Sequence, residues 1–231
     1  MTTTEIEKIL FIDIETVPVT YKYSDLDEAT KELWNKKWQY NKDIAPEQQY
    51  NKAGIYAEFA KVVCIGLGFY NQKKFRVKAI TSTNEVEILN QFADLLKQHF
   101  NTYSHLLCAH NGKEFDFPFL CRRFLINNLP LPKTLQIQGL KPWEVKHIDT
   151  MDLWKFGDVK NFSSLNLLAH VLGIPSPKDE MDGSMVGKTF YEEKNIEKIA
   201  TYCKKDVITL ARVYNRFAGT GNLNDEDIIF V

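Results

Sequence analysis

The apolar positions of the chain fall into short, dense runs separated by polar stretches. Ile9 to Ile14 reads ILFIDI, β-branched and apolar on both sides, which predicts a central strand that ends near Pro18. Lys61 to Tyr70, KVVCIGLGFY, predicts a second buried strand, and Lys74 to Thr81 alternates as a third. A turn at Asn71-Gln72 makes these two a hairpin. In Glu85 to Phe100 the residues Val86, Leu89, Phe92, Ala93 and Leu96 recur at helical spacing behind a cap at Thr83. Leu106 to Ala109 is a fourth strand; a polar loop and a helix from about Phe117 to Asn127 follow, and His147 to Asp149 is a fifth strand. The remainder is helical. Ser163 or Ser164 caps Leu165 to Leu172, which Gly173 and Pro175 stop. Asn195 to Phe217 forms one long helix whose stripe includes Ile199, Cys203, Val207, Leu210 and Tyr214.

Residues 21–58 differ in character: polar, Lys-rich and carrying Trp34, Trp38 and Tyr40. They read as an insertion between the first two strands, with a helix from Asp27 to Trp38, and their aromatic residues favour packing over a stacking ledge for a strand. The element order predicts a mixed sheet with helices on both faces. At 231 residues, one α/β domain spanning 1–231 with one insertion is the economical organisation. A formal net charge of -1 weakens any reading based on bulk attraction to nucleic acid, though a local basic track fits inside a neutral total. No apolar run is long enough to span a membrane, and the start shows no signal-peptide pattern. Cys64, Cys108, Cys121 and Cys203 are scattered through apolar segments. That suits reduced thiols in a cytoplasmic protein and argues against a disulfide framework or zinc cluster.

Three short pieces carry chemistry. Asp13 and Glu15 lie two apart on a strand and share a face, where two acids are costly unless a hard divalent cation neutralises them. The bland reading has them facing water at the strand's end. Asp116 falls where a loop, AHNGKEFD, meets a helix; a capping Asp explains it locally, and Asn111 and Gly112 suit a turn. Tyr202 and Asp206, four apart, present a phenol and a carboxylate on one helical face that is otherwise readable as solvated.

Taken in order, FIDIET, AHNGKEFDFPFL and YCKKD resemble the three motifs of the DEDD superfamily of 3′–5′ exonucleases, in its tyrosine-bearing DEDDy branch. More narrowly the chain resembles proofreading-exonuclease-like domains related to family B DNA polymerases; DTMDLW at 149–154 and KDEMDGSMV at 178–186 add to the likeness. The resemblance implies a ribonuclease H-like fold, a five-stranded mixed sheet with its first three strands antiparallel and helices on both faces. It implies two divalent cations, Mg2+ or Mn2+, held by Asp13, Glu15, Asp116 and Asp206. It implies as well that Asp13 would bridge them and that Tyr202 orients the attacking water. It further implies release of nucleoside 5′-monophosphates from the 3′ end of nucleic acid, single-stranded DNA first and RNA second. Asn111 and Phe115 are then expected at the terminal nucleotide, by a hydrogen bond and by stacking or core packing respectively. Lys113, Lys204 and Lys205 lie near enough in sequence to meet phosphates or to face solvent, while Arg122 and Arg123 are expected on the far face of their helix. Proofreading or repair would use a partner in trans. The rival class is a non-catalytic nucleic-acid-binding module on the same fold, against which five such groups in register argue.

Overall fold

The computed structural model describes residues 3–40, 43–158, 160, 162–175 and 181–231. Its elements in chain order are α1 (Thr3–Ile6), β1 (Ile9–Pro18), α2 (Glu28–Trp38), α3 (Pro46–Gln49), β2 (Ala60–Asn71), β3 (Lys74–Thr81) and α4 (Glu85–His99). They continue with β4 (Leu106–Ala109), α5 (Asp116–Ile126), β5 (Ile148–Asp149), α6 (Thr150–Lys155), α7 (Leu165–Val171), α8 (Val186–Tyr191), α9 (Ile196–Ala218) and β6 (Ile228–Phe230).

Among the described residues one sheet carries six strands in the order β5-β4-β1-β2-β3-β6. The run β1, β2, β3 is antiparallel, whereas β4 joins β1, β5 joins β4 and β6 joins β3 in parallel. The expected five strands are therefore present, and β6 is an addition. Its three residues pair in parallel with Phe75 to Val77, so no turn or alternation advertises them. The β2–β3 turn sits at Gln72 and Lys73, both at positive φ, the pair of left-handed residues that a two-residue type I′ hairpin demands. The α4 cap is Asn84, which accepts the Val86 N–H, not Thr83.

Period-two alternation makes β1 the wall between two cores. Leu10, Ile12 and Ile14 face α4 and α5, packing with Leu89, Phe92, Phe117, Leu120 and Phe124. Ile9 and Phe11 face α9 and meet Val207, Leu210, Ala211 and Tyr214. The odd-numbered face is also that of Asp13 and Glu15. Gly66 and Gly68 of β2 stand opposite Asp13 and Phe11. A Cβ on Gly66 would come within 2.7 Å of the Cys203 Sγ, and one on Gly68 within 2.6 Å of a Val207 methyl carbon. The two glycines thus let α9 lie close against the sheet.

The insertion builds a small core of its own. Trp34 is fully buried among Leu26, Tyr50 and Ala53, its indole N–H donating to the Pro46 carbonyl at 2.7 Å. Trp38 packs at its side while Tyr40 is exposed, so the two tryptophans act in packing. Arg123 is not on an outer face: it is buried, bound by Nε and Nη2 to the Glu85 carboxylate at 2.8 and 2.5 Å. Its Nη1 donates to the Ala57 carbonyl at 2.8 Å, tying α5 to α4 and to the end of the insertion.

Candidate active site

Three elements converge on the carboxyl half of β1. The strand aims Asp13 and Glu15 at α9, and its pairing with β2 shifts register between Glu15 and Thr16. The extra residue is Val63 of β2, so the bulge lies in the partner strand, opposite the end of the two acids' segment. α9 answers with Tyr202 and Asp206, one turn apart, whose side chains share a hydrogen bond.

Asp116 arrives from the other side. β4 pairs with β1 only as far as Phe11, so the Ile14 N–H on that edge has lost its strand partner. The Asp116 Oδ1 accepts it at 3.2 Å. The local capping explanation is therefore incomplete: the carboxylate serves the sheet as well as the backbone N–H of its own residue at the start of its helix. The preceding loop is held by Asp149, whose two oxygens accept the Asn111 and Lys113 N–H groups at 2.9 and 3.0 Å while also capping α6. His110 ties the same loop to Thr150 (2.9 Å) and to the Ser163 carbonyl (2.7 Å). Gly112 is required here because a Cβ would fall 2.4 Å from that of Ala109.

The acids act on one another electrostatically. Burial raises the Asp13 carboxyl well above its ordinary value, and the charges of Glu15, Asp206 and Asp116 push it further. Glu15 is raised in the same way, by burial and then by Asp206 and Asp116, offset by a hydrogen bond shared with Asp13. Burial lifts Asp116 to about 7, with Asp149 adding to the rise. The Tyr202 phenol is also pushed up, by burial first and then by Asp206, Glu15 and Asp13. It is a hydrogen-bonding group at neutral pH, not a base. The Cys203 thiol lies 3.4 Å from both the carbonyl and Oδ2 of Asp13. One oxygen each of Asp13 and Glu15 and this sulfur lie within 4.8 Å of one another.

The donor set fits hard divalent cations. Four carboxyl groups crowd one well, and among the described residues no guanidinium or ammonium offsets Asp13, Glu15 or Asp116. Mutual repulsion on this scale is relieved by a cation or by protons.

All five residues singled out for chemistry are thus brought together. The candidate substrate residues are less uniform. Asn111 has φ +60, and its Oδ1 is a buried atom without a hydrogen-bond partner, poised for one. Phe115 is half-buried and tilts against Phe119 with ring centroids 5.4 Å apart, consistent with core packing. Lys113 is committed to Asp152 at 3.4 Å, and Lys204 lies over the Phe230 ring. Of the KDEMDGSMV stretch, Lys178, Asp179 and Glu180 lie outside the described residues. The roles of Asp149, Gly66 and Gly68 go unread in the sequence. An Asp directly before a Thr-Met-Asp helical start, and glycines two apart on a buried strand, are the signals that could have found them.

Comparison with known proteins gives the family and the fold. A family model described as a predicted 3′–5′ exonuclease related to the exonuclease domain of PolB matches residues 55–229. The match begins beyond β1, so Asp13 and Glu15 join it through the fold alone. No curated protein matches the chain in sequence. In structure it is similar to the family B DNA polymerase from the hyperthermophilic archaeon Pyrobaculum calidifontis, with a TM-score of 0.54 and 13% identity over 88% of this chain. The aligned part is 24% of that polymerase. At that identity the likeness is one of fold, and the fold is ribonuclease H-like. Among the described residues no helix is long and apolar enough to cross a membrane.

Proposed function

We propose a function from one premise: the chain belongs to the family of predicted 3′–5′ exonucleases related to the exonuclease domain of PolB. It hydrolyses phosphodiester bonds at the 3′ end of nucleic acid, single-stranded DNA before RNA, releasing nucleoside 5′-monophosphates. The observation that carries this reading is the meeting of Asp13, Glu15, Asp116 and Asp206 with Tyr202 in one well.

Asp13, Glu15, Asp116 and Asp206 would hold two divalent cations, Mg2+ or Mn2+. When bound, these neutralise charge on the attacking and leaving oxygens and make water more acidic. Tyr202, kept protonated by its surroundings, orients the attacking water with its hydroxyl. Asp206 fixes that hydroxyl through their shared hydrogen bond. Cys203 steadies the Asp13 carboxylate from behind. The unpartnered Oδ1 of Asn111 is available to a donor on the terminal nucleotide. Phe115 borders the same loop, its ring packed on Phe119.

The test is product analysis on end-labelled DNA and RNA strands with magnesium, manganese or chelator. Stepwise release of 5′-monophosphates from the 3′ end, abolished by chelator and by Asp13→Ala, is the expected result. Strand binding without any product in manganese would overturn the reading in favour of a binding module.

A further inference from the structure

The hydrolytic reading leaves two features of the sequence unused, the insertion at 21–58 and the turn that follows Asp182. The fold sets them face to face. Tyr50–Ile55 of the insertion forms one wall of a cleft of about 500 Å³, and the segment from Gly183 to Lys188, leading into α8, forms the other. Thr16 and Pro18 of β1 complete the lining, and Thr16 bonds the insertion directly, its hydroxyl donating to the Gly54 carbonyl at 2.6 Å. Thr16 follows Glu15, so the cleft lies at the end of the strand that carries two acids of the carboxylate well.

Its chemistry is opposite to that of the well. Lys52 on one wall and Lys188 on the other are its charged lining residues, while the carboxylates of Asp182 and Glu192 stand outside the lining, taken up by Ser184 and Tyr21. Both lysines are exposed, and neither ammonium has an ion-pair or hydrogen-bond partner among the described residues. In a chain of net charge -1, this juxtaposition of two uncommitted cations beside four acids is a local basic track. The size lies in the range of small-molecule and nucleotide sites, roughly 300–1,000 Å³. Tyr21 adds a ring, stacked on Tyr191 at 4.8 Å. Gly183 and Gly187 keep the second wall low: a Cβ at Gly183 would meet nothing within 4 Å.

We infer that this cleft holds the single strand just upstream of the terminal phosphodiester, with Lys52 and Lys188 on its backbone phosphates. The inference rests on the hydrolytic reading of the neighbouring well and adds a binding track supplied by the insertion. A strand whose phosphates pass an acidic well needs compensating positive charge beside it, and the two lysines supply that charge from opposite walls.

Two measurements separate the track from the well. Anisotropy of a labelled oligothymidylate, with chelator present so that the strand stays intact, reads strand affinity. Turnover of thymidine 5′-(p-nitrophenyl phosphate) with manganese, a phosphodiester too short to reach the cleft, reads the chemistry. Lys52→Ala/Lys188→Ala should raise the strand Kd about tenfold. It should also lower the slope of log affinity against log salt by about 1.4 and leave ester turnover unchanged. Lys52→Arg/Lys188→Arg should keep the parental affinity. Gly183→Phe, whose ring enters open space, should weaken strand binding at unchanged thermal stability. Unchanged affinity in the alanine and phenylalanine variants overturns the track. A parallel fall in ester turnover also overturns it, because the lysines would then belong to the well. A parent that cleaves neither ester nor strand overturns the hydrolytic reading, and the anisotropy series then decides the track by itself.

Discussion

Replacing Asp116 by Asn keeps the size of the side chain and an oxygen for the Ile14 N–H while removing one charge from the well. The Asp116 carboxyl is raised from 3.8 to about 7, chiefly by burial. About three units at ~1.36 kcal/mol each make its ionisation in the metal-free fold cost about 4 kcal/mol. The sign follows from proton binding. Between the unfolded and folded values the native protein holds the proton and the unfolded chain does not, so stability falls as pH rises through that window. Below about pH 4 both states are protonated and the group contributes its full stabilising share. By about pH 8 both are ionised and that share is lost. Asp13 and Glu15, raised by burial and by their neighbours, act in the same direction.

Asn never ionises. In chelator, Asp116→Asn should therefore be more stable than the parent by about 2–4 kcal/mol near pH 8, with the gap closing toward pH 4. Urea denaturation across that range, with chelator throughout, measures it. Magnesium should reverse the order by stabilising the parent more than the variant, and the variant should not hydrolyse strands. If Asp116 were only a helix cap, its ionised form would be the favoured one and the parent would gain on the variant as pH rises. A variant less stable than the parent near pH 8, or a gap indifferent to pH, would show that Asp116 is not a buried acid held protonated by the fold.

Tyr202→Phe keeps the ring and removes the hydroxyl shared with Asp206. Strand hydrolysis should fall on the order of a hundredfold or more, while the rise in Tm produced by magnesium is retained in thermal melts. Gly66→Ala places a methyl 2.7 Å from the Cys203 Sγ and should cost about 1–3 kcal/mol in urea denaturation. Because α9 carries Tyr202 and Asp206, kcat should drop with it; unaltered kcat would show that close approach of the helix is not needed. Arg123→Ala strands the buried Glu85 carboxylate and should destabilise by about 3–5 kcal/mol. At a temperature where the variant remains folded, its kcat/KM should match the parent's, the ion pair lying outside the well.

What could be read in the sequence was what direction alone decides. Two residues apart on a strand share a face, and four apart on a helix share a face, so Asp13 with Glu15 and Tyr202 with Asp206 are legible as pairs before any fold is known. Both-face apolar runs made β1 and β2 legible for the same reason. What each pair faces is a property of distant contacts. Asp116 looks like a cap because its neighbours are a loop and a helix; its second partner, the Ile14 N–H, is 102 residues away and is free only because β4 stops pairing at Phe11. Arg123 reads as surface charge until Glu85 and the Ala57 carbonyl are brought around it. Gly66 and Gly68 read as weak points in a strand until α9 is laid across them, when they become the reason its tyrosine and aspartate reach the acids. The insertion shows the limit most clearly, since Trp34 settles into a private core while Lys52 stays uncommitted. Aromatic content predicted the packing of that segment. Only the position of its 3-10 turn across from Gly183 turns it from a cover into a wall, because a charge acquires a partner from geometry that no spacing within residues 21–58 encodes.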